Sequence, residues 1–204
     1  MNTRLVVVAA IIAVVLSACG IGKPSPQATT YIVEARPPAA TMAGRHSGDV
    51  LRMGNVRTAA AFAGTSLVYR MDDVNYVSDP YQAFIADPGA MLGNEMASWL
   101  DRSGAFKSVS QPGSTQSVPY VLEATITQLY GDFRPGRPPE AVMAVQFALV
   151  DVVSIRPRVV YEGTIERREP IDKAAPDALV RGYGRALSQI LTQFVADLSA
   201  RAGK

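Results

Sequence analysis

The sequence predicts an α+β fold in which an antiparallel β-sheet meander carries two helices packed on one face. Two observations support this prediction. Three consecutive segments, 120–130, 141–153 and 158–168, have the residue patterns of strands and are separated by turn-forming residues. Two further segments, after Asp87 and after Pro176, repeat apolar residues at three- and four-residue steps, as helices do.

The N-terminus combines a positive charge, an apolar run and a single cysteine. Arg4 precedes the uncharged residues 5–16, and small residues stand directly before Cys19. The apolar run is shorter than the roughly 20 residues that a membrane span needs, and it suits a bacterial lipoprotein signal. The alternative is an N-terminal helix, or an uncleaved anchor, with an incidental cysteine. We expect removal of residues 1–18 and anchoring through several acyl chains, such as palmitate, on Cys19.

The segment after the cysteine, 19–29, has the composition of a flexible tether, with Gly, Pro and Ser and no apolar periodicity. Residues 30–204 are then predicted to form a single periplasmic domain. Gly20 after Cys19 favours the outer membrane over the inner one. The chain has 20 basic and 18 acidic residues and one cysteine. This near-neutral charge argues against a nucleic-acid partner, and acylation of Cys19 leaves no thiol for a disulfide.

The first half of the domain contains four short strand candidates, at 30–34, 50–56, 66–71 and 75–85. The last two are expected to form a hairpin around a turn of two aspartates. Pro80 restricts its second strand to an edge or a break.

The first helix has clear end signals. Asp87 can cap it, Pro88 suits its first turn, and Gly104 follows its last residue. Its apolar stripe consists of Leu92, Met96, Trp99 and Leu100. A short strand is expected at 107–110.

The second half contains the three strands of the meander and the second helix. The strand at 120–130 alternates between apolar and polar residues, whereas 141–153 is apolar on both faces and therefore central. The turn between them, 131–139, is long, basic and rich in proline. The helix at 176–200 has a continuous apolar stripe of Leu179, Tyr183, Leu187, Ile190, Phe194 and Leu198.

No constellation of residues supports catalysis, a metal or a cofactor, so an enzyme is a poor hypothesis. His46 is the single histidine, and a loop residue without a special role is favoured over a metal ligand. Asp72 and Asp73 are better explained by turn formation than by calcium binding. The triplet 182–184, Gly-Tyr-Gly, lies inside the helical stripe and is interpreted as close helix–sheet packing rather than a phosphate loop.

Two groups of residues are candidates for binding a partner. The hairpin at 66–85 carries Arg70 and the aromatic residues Tyr69, Tyr76, Tyr81 and Phe84. The aromatic rings either contact a partner or a lipid tail, or they pack against each other across the strands. Arg134 and Arg137 in the proline-rich turn either meet lipid phosphates or an acidic partner, or are merely solvated.

The order of several short motifs resembles the ABC-type transport auxiliary lipoprotein family, which includes the lipoprotein of the paraquat-inducible (Pqi) system. After the cysteine and tether come Tyr31-Ile32-Val33-Glu34, then Val68-Tyr69-Arg70, then a helix that ends at Ser103-Gly104-Ala105-Phe106. The family commonly has a tryptophan before the helix. Here Phe84 stands in that region, and Trp99 lies within the helix.

This resemblance implies a lipoprotein without catalysis that serves an ABC transport system with an MCE-domain component. Such systems move lipids or other hydrophobic molecules across the envelope. The implied partners are the MCE-domain protein and the permease and ATPase, with self-association possible. Two other hypotheses remain: a lipoprotein that holds a lipid or small hydrophobic ligand between sheet and long helix, and an outer-membrane assembly factor.

Overall fold

The computed structural model describes residues 27–38, 40–42, 44, 46–115, 117–153 and 155–201. The predicted signal peptide, Cys19 and most of the tether lie outside these residues. The strands are β1 (Thr29–Tyr31), β2 (Val50–Thr58), β3 (Ser66–Arg70), β4 (Tyr76–Phe84), β5 (Ser108–Ser110), β6 (Tyr120–Asp132), β7 (Glu140–Asp151) and β8 (Arg158–Pro170). The helices are α1 (Pro88–Ser103) and α2 (Pro176–Arg201), with a short 3-10 turn at Ala60–Phe62.

All eight strands belong to one sheet that branches at β6. One edge of β6 pairs with β7 in antiparallel register, and β7 pairs in the same way with β8. The other edge of β6 is shared by β2, near its start, and β3, at its end, both in parallel. β5 extends from β2, while β4 and then β1 extend from β3. The predicted α+β fold is confirmed; β6, β7 and β8 form the meander, and the parallel strands make the whole sheet mixed.

Helix α1 begins and ends at the predicted residues. The side chain of Asp87 accepts a hydrogen bond from the backbone N–H of Ala90 at 2.9 Å, and Gly104 takes the left-handed conformation, φ +73°, that ends the helix. Trp99 is fully buried, and its indole N–H donates to the carbonyl oxygen of Arg36 at 2.8 Å. This bond fastens the segment that follows β1 onto the helix.

Helix α2 approaches the rest of the domain closely at its glycines. A Cβ atom at Gly182 would lie 2.7 Å from the Cβ of Ala141 in β7, and one at Gly184 would collide with the carbonyl oxygen of Glu34. The interpretation of these glycines as packing residues is therefore confirmed. The rest of the helix buries its apolar stripe, with Phe194 stacked 4.7 Å from Phe147 of β7.

The strand register defines two ends of the sheet. At the upper end β6 stops at Asp132, and the loops 71–75 and 133–139 lie side by side. At the lower end β6 starts at Tyr120, opposite the loop that joins β7 to β8.

Candidate partner-binding surface

Four of the seven predicted partner-binding residues come together at the upper end of the sheet. Arg70 and Tyr76 flank the turn between β3 and β4, and Arg134 and Arg137 lie in the loop between β6 and β7. The two loops are adjacent because Arg70 pairs with Asp132 across β3 and β6. We call these four residues the arginine–tyrosine surface.

Asp132 organises the charges of this surface. Its carboxylate, in a residue only 4% exposed, accepts bonds from Arg134 Nε at 2.8 Å and Nη2 at 2.7 Å, and from Arg168 Nη2 at 2.6 Å. The hydrogen bonds from Arg134 outweigh the effect of burial and lower the pKa of Asp132 to about 2. The carboxylate is therefore ionised at neutral pH and holds both guanidinium groups in place.

Arg134 also joins the two upper loops. Its Nη1 donates to Asp73 Oδ1 at 2.8 Å, so the turn after β3 is fixed to the loop after β6. The hydrogen bonds with Asp132 and Asp73 raise the pKa of Arg134. Arg134 is largely buried, with a side chain 12% exposed, and its fork of donors is occupied by two carboxylates. Arg134 therefore holds the surface together, and its charge is already balanced by the carboxylates of Asp132 and Asp73.

Tyr76 is held between a cation and two rings. The guanidinium carbon of Arg70 lies 5.7 Å from the centre of its ring, and Tyr130 meets the ring edge to face at 5.3 Å. Phe62 stacks on Tyr130 on the sheet face opposite the helices, with the two ring centres 5.9 Å apart. Tyr76 keeps 42% of its area exposed, so it presents a positioned aromatic ring to solvent.

Beside these residues lies an open cleft of about 450 Å³, lined by Asp132, Arg134, Arg137, Pro138, Glu140 and Arg168. Arg168 is paired, since its Nε donates to Glu140 at 2.9 Å. Arg137 is exposed and makes no ion pair with the part of the chain that the structure describes. The cleft therefore offers one unengaged guanidinium, which suits a carboxylate or phosphate.

The other three predicted residues lie elsewhere. Tyr69 is on the helix side of the sheet, where its ring stacks 5.0 Å from Phe133 and its hydroxyl donates to Asp79 at 2.8 Å. Burial, and then this bond, raise its pKa. Phe84 is only 4% exposed and packs in the core, so it cannot offer a surface contact. Tyr81 is exposed but lies further along β4.

Phe84 faces inward because of an irregularity in the hairpin. Ser78 pairs with Val68, but Ala83 pairs with Ser66, so four residues, Asp79–Gln82, oppose one residue of β3. The Asp79 carboxylate stabilises this bulge by accepting the backbone N–H groups of Tyr81 and Gln82.

Sequence reasoning missed four residues that build the surface: Phe62, Tyr130, Asp132 and Arg168. The alternation in β6 puts Tyr130 and Asp132 on the same face, which is a usable signal. The sequence contains no such signal for Arg168, because this residue lies near Asp132 only as a result of the pairing register of β6, β7 and β8.

His46 has a structural environment. Its Nδ1 lies 2.8 Å from Asp49 Oδ2, and its ring contacts Tyr120 edge to face at 5.0 Å.

Within the described residues, no group of three or more His, Cys, Asp or Glu side chains is placed to hold a metal ion. No helix among these residues is long and apolar enough to cross a membrane.

Comparison with known proteins gives a family and a fold. A family model described as "ABC-type transport auxiliary lipoprotein component" matches residues 31–195. No curated protein matches the sequence.

Two solved structures have the same fold at low identity. A crystal structure of a protein from Xanthomonas campestris superimposes with a TM-score of 0.70 at 17% identity, covering 86% of this chain and 97% of the other. The structure of an uncharacterised protein gives a TM-score of 0.55 at 17% identity, covering 84% and 99%.

Proposed function

Because this chain belongs to the ABC-type transport auxiliary lipoprotein family, we propose that it is the docking component of an MCE-type ABC transport system. In this role it carries out no catalysis. It is anchored by acyl chains on Cys19, faces the periplasm from the outer membrane, and binds the MCE-domain protein of a system that moves lipids or other hydrophobic molecules.

The observation that carries this proposal is the construction of the arginine–tyrosine surface. Arg70, Tyr76 and Arg134 are positioned before any partner arrives, because Asp132 fixes Arg134, backbone carbonyls hold Arg70, and Arg70 and Tyr130 confine the ring of Tyr76. A positioned, half-exposed tyrosine next to arginines is the kind of residue that dominates protein interfaces, since little side-chain entropy is lost on binding. Arg137 adds a cation for an acidic group of the partner.

The alternative of a ligand held between sheet and long helix has less support. That space contains Phe147, Tyr183 and Phe194, all fully buried, and the two phenylalanine rings stack directly. A lipid tail would have to displace these side chains from a packed core. Among the residues that the structure describes, we find no feature that favours an outer-membrane assembly factor over a transport component.

The test is recovery of the complex from membranes. We would crosslink the full-length lipoprotein in native membranes, purify it and identify the bound proteins by mass spectrometry. An MCE-domain protein with its permease or ATPase is the expected result. Recovery of a barrel protein alone, or of no transport component, would overturn the proposal.

The contact surface is tested separately with the purified partner. Tyr76→Ala and Arg137→Glu should each weaken binding about tenfold, the scale of a substantial interface contact. Arg57→Glu is the matched control, because Arg57 is also exposed but lies on β2, away from the upper end. Tyr81→Ala shows whether the contact extends along β4. If binding survives both Tyr76→Ala and Arg137→Glu unchanged, the partner uses another surface.

A further inference from the structure

Strand β8 has a long open edge. It pairs with β7 along one side, and within the described residues no strand pairs with its other side. Native proteins usually interrupt such an edge with prolines or bulges, because its backbone groups can pair with another chain. Here the interruptions stand only at the ends, where the register skips Val160 and where Pro170 closes the strand. The regular segment between them, Tyr161–Glu169, is what we call the outer edge of β8.

The hydrogen bonds with β7 show which backbone groups point to this edge. The N–H of Ile171 donates to the carbonyl of Pro139 at 3.0 Å, while Pro170 is paired with Glu140. In an antiparallel ladder this means that odd-numbered residues bond to β7 and even-numbered residues point their backbone groups the other way. The outward residues are Glu162, Thr164, Glu166 and Arg168.

The side chains of these outward residues are also accessible. Tyr161 and Ile165 are buried on the helix side, where the ring of Tyr161 contacts Phe194 edge to face at 5.2 Å. Because side chains alternate along a strand, the even-numbered ones lie on the opposite face, and all four are exposed. A strand added at this edge would therefore meet a row of charged and polar side chains.

The order of charges along this row selects a second copy of β8 in one register. In antiparallel pairing about a two-fold axis at Thr164, Glu162 would face Glu166 of the other copy, and with the axis at Glu166, that glutamate would face itself. Like charges directly opposite each other destabilise a sheet. With the axis at Ile165, Glu162 instead faces Arg168 of the other copy, and Thr164 faces Glu166. This register forms four hydrogen-bonded pairs, each of which exchanges two backbone bonds.

The same register reaches the cleft beside the arginine–tyrosine surface. Arg168 lines that cleft, and it donates to Glu140 and Asp132. Side chains that face each other across two strands have Cβ atoms about 5 Å apart. The second copy would therefore place the carboxylate of its Glu162 beside Arg168, at the rim of the cleft.

We propose that two copies of this chain pair through the outer edges of β8, antiparallel and with Ile165 at the two-fold axis, to form one continuous sheet. A two-fold axis perpendicular to the sheet lets both chains anchor in one membrane when the sheet lies parallel to it. Confinement to that membrane raises the effective concentration of the copies, so a modest interface suffices.

Disulfide formation in native membranes tests the register. Cys19 is the single cysteine, and acylation occupies its sulfur. The full-length double variant Thr164→Cys, Glu166→Cys puts thiols opposite each other in both central pairs, so mild oxidation should give a dimer on a non-reducing gel. The matched control is Glu162→Cys, Glu166→Cys. It should give about tenfold less dimer, because its thiols would be on residues about 7–8 Å apart. Equal dimer from both variants, or none from the first, would overturn the proposed register.

A backbone substitution tests the edge itself. Thr164→Pro removes an N–H that points away from β7, so the purified full-length protein should lose its dimer while it stays folded. Thr164→Ala keeps this N–H and should remain dimeric. The fluorescence of the buried Trp99 reports folding, and the disulfide comparison decides alone if Thr164→Pro does not fold. A folded Thr164→Pro that is still dimeric would contradict the proposal.

A photoreactive residue at position 164 identifies what covers the edge in native membranes. Crosslinking to a second copy of the chain supports the proposal, whereas crosslinking only to a transport protein or to lipid overturns it. None of these measurements requires an MCE-domain protein, so their failure leaves the proposed function standing.

Discussion

The buried carboxylate of Asp132 gives a prediction about stability and its dependence on pH. Replacing it by Asn keeps the shape of the side chain but removes the charge that holds Arg134 and Arg168. Since the carboxylate has a pKa of about 2 in the folded protein against an ordinary 3.8, its ionisation stabilises the fold by about 2 kcal/mol at pH 7. We expect Asp132→Asn to lose that amount.

The sign of the pH dependence follows from the lowered pKa. The contribution is complete well above pH 3.8 and is lost as the pH falls toward 2, where the folded carboxylate is protonated. The difference between wild type and Asp132→Asn should therefore shrink from about 2 kcal/mol at pH 7 to about 1 kcal/mol at pH 3.

Urea unfolding followed by fluorescence measures this difference, because Trp99 is the single tryptophan and is fully buried in the folded state. Asp172→Asn is the matched control, since Asp172 is exposed, and its free energy of unfolding should stay at the wild-type value. A destabilisation of Asp132→Asn that stays constant from pH 7 to pH 3 would refute the electrostatic reasoning. A variant as stable as wild type would refute it too.

Three other substitutions test the packing and the anchor. Gly184→Ala should destabilise the fold by about 2 kcal/mol in urea unfolding, because its methyl group collides with a backbone carbonyl; Gly64→Ala, with open space around it, should be neutral. Tyr69→Phe should cost about 1 kcal/mol through loss of the hydrogen bond to Asp79, and an unchanged urea midpoint would contradict that. Cys19→Ser should release the protein from the membrane fraction, and retention there would contradict lipid anchoring.

Local signals predicted most of the secondary structure. The cap at Asp87, the proline after it and Gly104 fix the ends of α1 by local hydrogen bonding and backbone geometry, which do not depend on the rest of the fold. The alternation in β6 and the apolar stripe of α2 likewise report directly which face is buried. The family resemblance was also confirmed, over residues 31–195.

Long-range pairing and irregular geometry were not predictable. Nothing in β2 indicates that it pairs in parallel with β6, because its partner lies far along the chain and hydrogen bonds only through backbone groups. The bulge at Asp79–Gln82 turned Phe84 into the core, and regular alternation could not reveal it. The contact between Asp132 and Arg168 could not be predicted either, because it joins residues far apart in the chain that strand pairing brings together.

The branching of the sheet at β6 has a consequence for when the protein can fold. The strand that joins β2 and β3 into one sheet, β6, follows its contacts in these strands by roughly 60 to 70 residues in the chain. Such high contact order slows folding, because the entropy of closing the long loop is lost before the strand contacts that offset it can form. Until β6 has been made, β3 and β4 can pair only with each other and with β1, and β2 only with β5, so the complete sheet forms after most of the chain is available.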